Sequence, residues 1–316
     1  MYLNSVLITG CAGDIGLGIS TILREIPWIN KIYGTDINDQ FPAEYFYDAF
    51  FKVPRVTQAD YIEVISDLVK KHNIELIIPV SEPELRFFYI NNIKKINGVQ
   101  LLMPSFNIME IGFDKLHTAN YLRENGYPFP WTVEVSEGNP LEIPCIIKSR
   151  DGSGSKTVNI VRDDNLSFYK NNNNYKNFIF QELLLPDDEE YTCGVFRTKK
   201  GISRTIIFKR VLAGGRTGYA EVVKNDTIEK LLISLSKNIN FQGSVNFQLR
   251  MTKKGPIIFE INPRFSSTVV FRHKLGFKDV QWAILDLYNE LKEEHLRIPN
   301  NIVGKKIFRA DKEIIF

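Results

Sequence analysis

The sequence predicts an α/β fold at its start and α+β units after it, and three observations carry that expectation. Residues 1–104 alternate short apolar strands with amphipathic helices, the rhythm of a parallel sheet with right-handed crossovers. From about residue 187 the pattern changes to hairpin-like strands, with a small α+β unit at 105–186 between the two. The chain has 316 residues, enough for about two domains, or three small ones, at roughly 150 residues each. The expected divisions are 1–104, 105–186 and 187–316.

Taken in order, Val6 to Thr9 is a short buried strand, and Gly10 to Gly16 is a tight turn into a helix running to about Glu25. Residues 31–36 are a second strand. Ile62, Ile65, Leu68 and Val69 have helical spacing, which predicts a helix over 61–72. Residues 76–80 form a third strand, and Ser81 caps the helix after it. Gln100 to Met103 reads as a fourth strand, stopped by Pro104. Helices follow near 107 and over 115–125. Residues 144–148 are a strand, 150–156 a polar Gly/Ser loop and 158–161 its hairpin partner. Asn171 to Asn174 is an exposed turn. Strands are then expected at 178–182, 191–196, 202–210 and 221–223. An amphipathic helix covers 227–240, a hairpin 243–265, a helix 279–294 and a late strand 306–309.

Composition excludes several functions. Lys plus Arg is 40 and Asp plus Glu is 37, a net charge of +3, too balanced for a chain that coats nucleic acid or an anionic membrane. Cys11, Cys145 and Cys193 are odd in number and show no CxxC spacing, so no disulfide framework is expected. His72, His117, His273 and His295 form no close metal-binding pair. No uncharged apolar run approaches the roughly 18 residues of a membrane span, and the first ten residues lack the marks of a signal peptide. A soluble, cytoplasmic protein is the expectation.

Gly10, Gly13 and Gly16 follow the first strand, and Asp36 ends the second. Glycines there let a backbone approach a phosphate, and a helix N-terminus favours the anion. The spacing is GxxGxxG and not GxGxxG, however, and Asp14 would place a carboxylate near the phosphates. A sharp strand-to-helix turn without any nucleotide is the preferred reading of the segment. The turn keeps one alternative open: an NAD(P)- or nucleotide-sugar-binding oxidoreductase or epimerase. Its Tyr-x-x-x-Lys, Tyr288 to Lys292, lies too late in the chain for a short-chain dehydrogenase.

The hairpin at 243–265 is more specific. Val245, Phe247, Leu249 and Met251 point one way, matched by Ile257, Phe259 and Ile261; Asn246, Gln248, Arg250, Glu260 and Asn262 point the other way. A three-residue loop of Lys253, Lys254 and Gly255 pairs Thr252 with Pro256, Gln248 with Glu260 and Asn246 with Asn262. Oxygen ligands then converge on one polar face, which suits Mg²⁺ and a nucleoside triphosphate. Arg264 follows and could clamp a phosphoryl or acyl group. The ordinary alternative is the solvated face of an amphipathic hairpin.

In context these residues resemble the ATP-grasp family, in its branch related to carbamoyl-phosphate synthetase large chains and other carboxylate–amine ligases. The resemblance spans nearly the whole chain and rests on motifs in order. Phe259-Glu260-Ile261-Asn262-Pro263-Arg264 is similar to the metal-binding strand and its arginine, with Gln248 as the other metal ligand. Phe180 to Leu184 resembles the strand linking the two nucleotide-clamping subdomains, where Glu182, Leu183 and Leu184 meet the adenine. Glu190 matches the glutamate on the ribose hydroxyls, Lys148 the basic residue at the α-phosphate and Lys115 the first basic position. Arg150 to Lys156, with Ser153, Gly154 and Ser155, resembles the mobile glycine-rich loop over the phosphates. Residues 1–104 then match the Rossmann-like domain that precedes an ATP-grasp fold, in which the glycine turn need bind no dinucleotide.

The resemblance implies a two-subdomain ATP-grasp fold and a ligase using ATP and Mg²⁺, with Mn²⁺ as a substitute. A carboxylate attacks the γ-phosphate to give an acyl phosphate and ADP, and an amine or thiol then displaces phosphate. Gln248, Glu260 and Asn262 would hold metal, Lys148 and Lys115 the triphosphate, and Arg264 the acyl phosphate. Lys209, Arg210, Arg216 and Arg272 fall where the family contacts its acid substrate, although an ordinary charged strand end explains Lys209 and Arg210 as well. The chain is one ATP-grasp unit with no glutaminase region, so carbamoyl-phosphate synthesis is not expected. A ligase acting on a small acid, an amino acid, a peptide or an amino sugar fits better, with small-molecule partners and a homodimer as one assembly. A non-catalytic ATP-binding regulator would not need the complete ligand set.

Overall fold

The computed structural model describes residues 1–152 and 158–310, so Ser153, Gly154, Ser155 and Lys156 of the expected phosphate loop lie outside the described residues. The first segment consists of β1 (Leu3–Thr9), α1 (Asp14–Arg24), β2 (Ile29–Asp36), α2 (Ala43–Phe46), β3 (Ala49–Lys52), α3 (Tyr61–Lys71), β4 (Leu76–Pro79), α4 (Glu82–Ile90), β5 (Lys95–Ile96) and β6 (Val99–Gln100). Its sheet has the order β3-β2-β1-β4 and is parallel throughout. Ser81 caps α4 as expected, its hydroxyl accepting from the Glu84 N–H.

Two expectations are corrected here. The fourth strand at 100–103 is only a bridge from Leu101 to Ile77 beside the small β5–β6 hairpin, because Pro104 stops the chain from donating further along the sheet. The sheet's fourth member is instead β3, a short edge strand whose Ala-Phe-Phe-Lys sequence has no alternation to announce it.

Packing accounts for two of the three glycines of the turn, Gly10 and Gly16, whereas a Cβ on Gly13 would meet nothing within 4 Å. Gly10 has φ +65°, and a Cβ there would lie 2.7 Å from the Ser81 Cβ. A Cβ on Gly16 would lie 2.5 Å from the Cys11 carbonyl oxygen. Asp36 braces the same turn, accepting from the Ala12 N–H at 2.9 Å and the Asn38 N–H at 2.9 Å. Its carboxylate is therefore engaged where a dinucleotide ribose would need it.

The second segment holds α5 (Phe106–Gly112), α6 (Lys115–Glu124), β7 (Thr132–Glu134), β8 (Cys145–Ser149), β9 (Asn159–Val161), α7 (Leu166–Asn171) and β10 (Phe178–Glu182). Its antiparallel sheet, β7-β10-β8-β9, includes the expected β8–β9 hairpin. The third holds β11 (Glu190–Arg197), β12 (Ser203–Ala213), β13 (Arg216–Val222), α8 (Asp226–Ile239), β14 (Gly243–Thr252), β15 (Gly255–Asn262), α9 (Val269–Lys274), α10 (Asp279–Leu287) and β16 (Lys306–Phe308). Its six strands run β15-β14-β11-β12-β13-β16, all antiparallel. The helix expected over 279–294 stops at Leu287. Asn289 turns left-handed at φ 62°, and the Glu290 N–H returns to the Leu285 carbonyl at 2.8 Å, closing the helix end. Among the described residues no helix is long and apolar enough to cross a membrane.

The six-stranded sheet positions the site. One face packs Tyr191, Cys193, Val195, Phe247 and Leu249 against α5, α6 and α8. On the opposite face Phe196, Phe208, Ala220 and Val222 share a core with α1, α9, α10 and the β1–β4 side of the parallel sheet. The same face continues past that core as Thr192, Arg210, Asn246 and Gln248, which line an open cavity instead. The expected pairs Gln248↔Glu260 and Asn246↔Asn262 are present, but the turn differs. Thr252 pairs with Gly255 across two residues, and an extra residue, Phe259, restores the register through a bulge. Ile258, and not Phe259, consequently joins Ile261 in the apolar core, while Phe259 turns toward a cavity.

Candidate active site

Two cavities meet on the polar face of the β14–β15 hairpin. The first, about 320 Å³, lies between the small sheet and the hairpin and is lined by Lys115, Lys148, Glu182, Leu183, Leu184 and Glu190 among others. The second, about 690 Å³, opens between the six-stranded sheet and α1, and includes Arg216, Asn246, Asn262 and Arg264. Arg210, Gln248 and Glu260 line both, so they form the seam.

The seam carries the expected oxygen ligands. The Gln248 Oε1 accepts from Arg210 at 3.0 Å, and the Asn262 Oδ1 accepts from Arg264 at 3.2 Å. The Glu260 carboxylate has no hydrogen bond or ion pair among the described residues. Asn246 is different: its Oδ1 accepts from the Thr192 hydroxyl at 3.0 Å and from the buried Arg272. Among the described residues no three His, Cys, Asp or Glu side chains cluster to hold a metal. An ion at the seam would use one carboxylate and two amide oxygens, a hard donor set that leaves coordination places for phosphate oxygens and fits Mg²⁺.

Lys148 projects from β8 toward the seam and is buried. Its Nζ donates to the Phe259 carbonyl at 3.3 Å and stands 5.5 Å from the centre of the Phe259 ring. Burial pulls its pKa down to about 7, and nearby Glu260 opposes that shift only in part. Lys115, at the start of α6, donates to the Gly152 carbonyl at 2.8 Å, while Arg150 is held by Asp114 at 2.8 Å and Glu134 at 2.9 Å. Thus the described beginning of the 150–156 loop is tied to α6.

Glu190 is more constrained than a lone ribose acceptor. Arg210 donates to its Oε1 through Nε at 2.9 Å, and Arg250 to its Oε2 at 2.6 Å. Arg250 also donates to the Leu184 carbonyl at 2.6 Å and to Asp187 at 2.9 Å, joining β14 to the connection between β10 and β11. Sequence reasoning placed Arg250 on the polar face without giving it a role; its place two residues after Gln248 was the available signal. Arg309 also lines the larger cavity and was not singled out, because it belongs to no motif; Asp14 of the glycine turn lines the same cavity.

The four residues suggested for the acid substrate divide evenly. Arg210 and Arg216 line the larger cavity. Lys209 points to the opposite face of β12 and pairs with Glu189. Arg272 is fully buried behind the cavity wall, paired with Asp279 at 3.0 Å and bonded to Ser266 at 3.0 Å. Its guanidinium occupies the space beside Gly194, where a Cβ would lie 2.7 Å from the Arg272 Cζ. The structure therefore does not bring Lys209 or Arg272 to the cavity.

Residues 113–268 match the family model described as an ATP-grasp domain, and residues 6–102 match that of a PylC-like N-terminal domain. The chain belongs to the ATP-grasp superfamily. Among solved structures, this ATP-grasp chain is similar to the Campylobacter jejuni biotin carboxylase complex (TM-score 0.73, 15% identity, covering 94% of this chain and 74% of that one). It is similar to the L-amino acid ligase from Bacillus licheniformis (TM-score 0.71, 17% identity, 94% and 78% covered). It is also similar to the N5-carboxyaminoimidazole synthetase from Staphylococcus aureus complexed with ADP (TM-score 0.72, 14% identity, 92% and 79% covered). At these identities the likeness is one of fold. The comparisons give no support to the oxidoreductase or epimerase alternative, in keeping with the engaged Asp36.

Proposed function

We propose that the chain is a Mg·ATP-dependent, ADP-forming ligase that joins a small carboxylic acid to an amine through an acyl phosphate. The observation that carries this reading is the seam: Arg210, Gln248 and Glu260 belong at once to a cavity with a buried lysine and a linker strand and to a cavity rich in arginine.

In this reading the smaller cavity takes the nucleotide. Glu182, Leu183 and Leu184 meet the adenine, Glu190 the ribose, and Lys115 and Lys148 the phosphates. Gln248, Glu260 and Asn262 hold Mg²⁺, which when bound neutralises charge on the transferring phosphoryl group. The acid enters from the larger cavity. One carboxylate oxygen bonds to the γ-phosphorus as the bond to the ADP oxygen breaks. Arg264 and Arg210 offset the charge that this step spreads over the phosphoryl oxygens. The amine nitrogen then bonds to the acyl carbon, phosphate leaves with the electron pair, and the nitrogen gives up a proton. The chain's contribution is positioning and charge, so it needs no nucleophilic side chain.

The same reading divides the chain into 1–104, 105–186 and 187–316, and takes it as a cytoplasmic enzyme able to form homodimers and to use Mn²⁺ in place of Mg²⁺. The test is product analysis with a carboxyl-¹⁸O acid. ADP together with ¹⁸O in inorganic phosphate supports the acyl-phosphate route. AMP and pyrophosphate as products would overturn it.

A further inference from the structure

Asn246 stands directly across the ladder from Asn262 and two residues before Gln248, which puts it about 7 Å along the strand from Gln248. It lines the larger cavity and not the smaller one, so it sits on the side of the metal face away from the nucleotide. The residue is only 1% exposed. Its Oδ1 accepts from the Thr192 hydroxyl at 3.0 Å and from Arg272, which is itself held by Asp279 at 3.0 Å and Ser266 at 3.0 Å. A guanidinium can only donate, so the amide oxygen must face Arg272. The amide nitrogen is thereby turned toward the cavity, where it has no hydrogen-bond partner among the described residues. A buried N–H without an acceptor costs free energy, and an oxygen brought by a ligand would remove that cost.

We propose that Asn246 is a substrate-binding donor: its Nδ2 donates to the carboxyl oxygen of the acid that does not attack phosphorus. This rests on the ligase reading above. Asn246 cannot join Gln248, Glu260 and Asn262 around a metal, because Arg272 and Thr192 hold its one ligating atom. The oxygen it binds becomes the carbonyl oxygen of the acyl phosphate. As the amine nitrogen bonds to the acyl carbon, the carbonyl π pair moves onto that oxygen. The pair returns as the carbon's bond to phosphate breaks; phosphate leaves with the bonding pair and the nitrogen gives up a proton. An N–H fixed in advance stabilises most while the oxygen carries that charge.

The test uses the full chain with Mg·ATP, hydroxylamine as a common nucleophile, and simple mono- and dicarboxylic acids and the standard amino acids as probes, reading ADP and hydroxamate. The acid with the highest kcat/KM is carried into the variants. Asn246→Asp keeps acceptors for Arg272 and Thr192 but sets an anionic acceptor where the donor stood. It should lower kcat/KM for the acid by at least about 100-fold. Asn246→Ser keeps one oxygen, adds no charge, and should lower it by about 10-fold. In both, Mg·ATP affinity and the urea midpoint should stay at the wild-type values. A merely structural Asn246 would lower the urea midpoint and leave kcat/KM per folded molecule standing, which overturns the proposal. So does a loss of Mg·ATP affinity that accounts for the whole loss of kcat/KM, since Asn246 would then serve the metal face. ADP formation by the wild type that neither variant impairs removes this inference alone. A wild type that forms ADP with none of the acids removes the ligase reading, and this inference with it.

Discussion

Gln248 and Glu260 stand directly across the β14–β15 ladder because Phe259 is an extra residue between the pairs Leu249↔Ile258 and Gln248↔Glu260. Without the bulge, the two-residue turn would shift the pairing by one position and send Glu260 toward the apolar face. The bulge also frees the Phe259 carbonyl and ring to meet Lys148 from the other sheet. One irregular residue thus assembles the metal face and its contact with the phosphate-side lysine.

Lys148 gives the site a pH dependence. Burial lowers its pKa from 10.5 to about 7, whereas in the unfolded chain the ammonium persists to the higher value. Between those values the unfolded chain binds more protons, so the nucleotide-free protein gains stability as pH rises from about 7. Binding runs the opposite way, because a triphosphate favours the cation. Calorimetry at pH 8 in buffers of different ionisation enthalpy should therefore show proton uptake with Mg·ATP, absent in Lys148→Arg. Equal heats in all buffers for the wild type would contradict this.

Arg250 joins Leu184, Asp187 and Glu190 through three hydrogen bonds. Arg250→Met should weaken ATP binding by about 10- to 100-fold, with a smaller change in kcat. Arg250→Lys should recover little, because a single ammonium cannot span the three acceptors. Unchanged ATP affinity in both variants would show that the linkage does not shape the nucleotide cavity.

Arg272 and Asp279 form a buried pair that also holds Asn246 and Ser244. Arg272→Ala should cost about 3–5 kcal/mol by leaving Asp279 buried without its counter-charge. Urea unfolding measures this directly. A variant of normal stability with a raised KM for the acid would restore Arg272 to the substrate site.

Gly16→Ala tests the turn after β1. Its methyl group would overlap the Cys11 backbone, so a loss of about 1–3 kcal/mol is expected, as for other overpacked positions. The wild type should show no NAD(H) binding for the substitution to disturb. Detectable NAD(H) binding that Gly16→Ala abolishes would return the turn to a nucleotide role.

Much of this was legible in the sequence because alternation along 243–262 fixes which side chains share a face. Turn length was not, since Lys253-Lys254-Gly255 fits loops of two or three residues, and the bulge that compensates leaves no mark in the residue pattern. Helix ends were obscured because Asn73, Asn92 and Asn289, at φ 48°, 52° and 62°, take the left-handed positions where glycine is the usual signal. Lys209 and Arg272 show why a charged residue near a motif is not thereby in the site: one follows the wrong parity of its strand, and the other is drawn inward by Asp279. Asp14 reaches the cavity only because α1 packs against α9, a tertiary contact that no local pattern encodes.

The most direct test of the central claim is a thermal-unfolding comparison of wild type and Glu260→Ala with Mg·ATP, Mg·ADP and NAD(H). At about 100 times its Kd, a ligand bound only by the native state stabilises by about 2.7 kcal/mol. The wild type should show that gain with Mg·ATP or Mg·ADP, most of it absent in Glu260→Ala, and none with NAD(H). Stabilisation by NAD(H) alone, or an Mg·ATP effect of equal size in Glu260→Ala, would contradict a nucleotide and metal site at the β14–β15 seam.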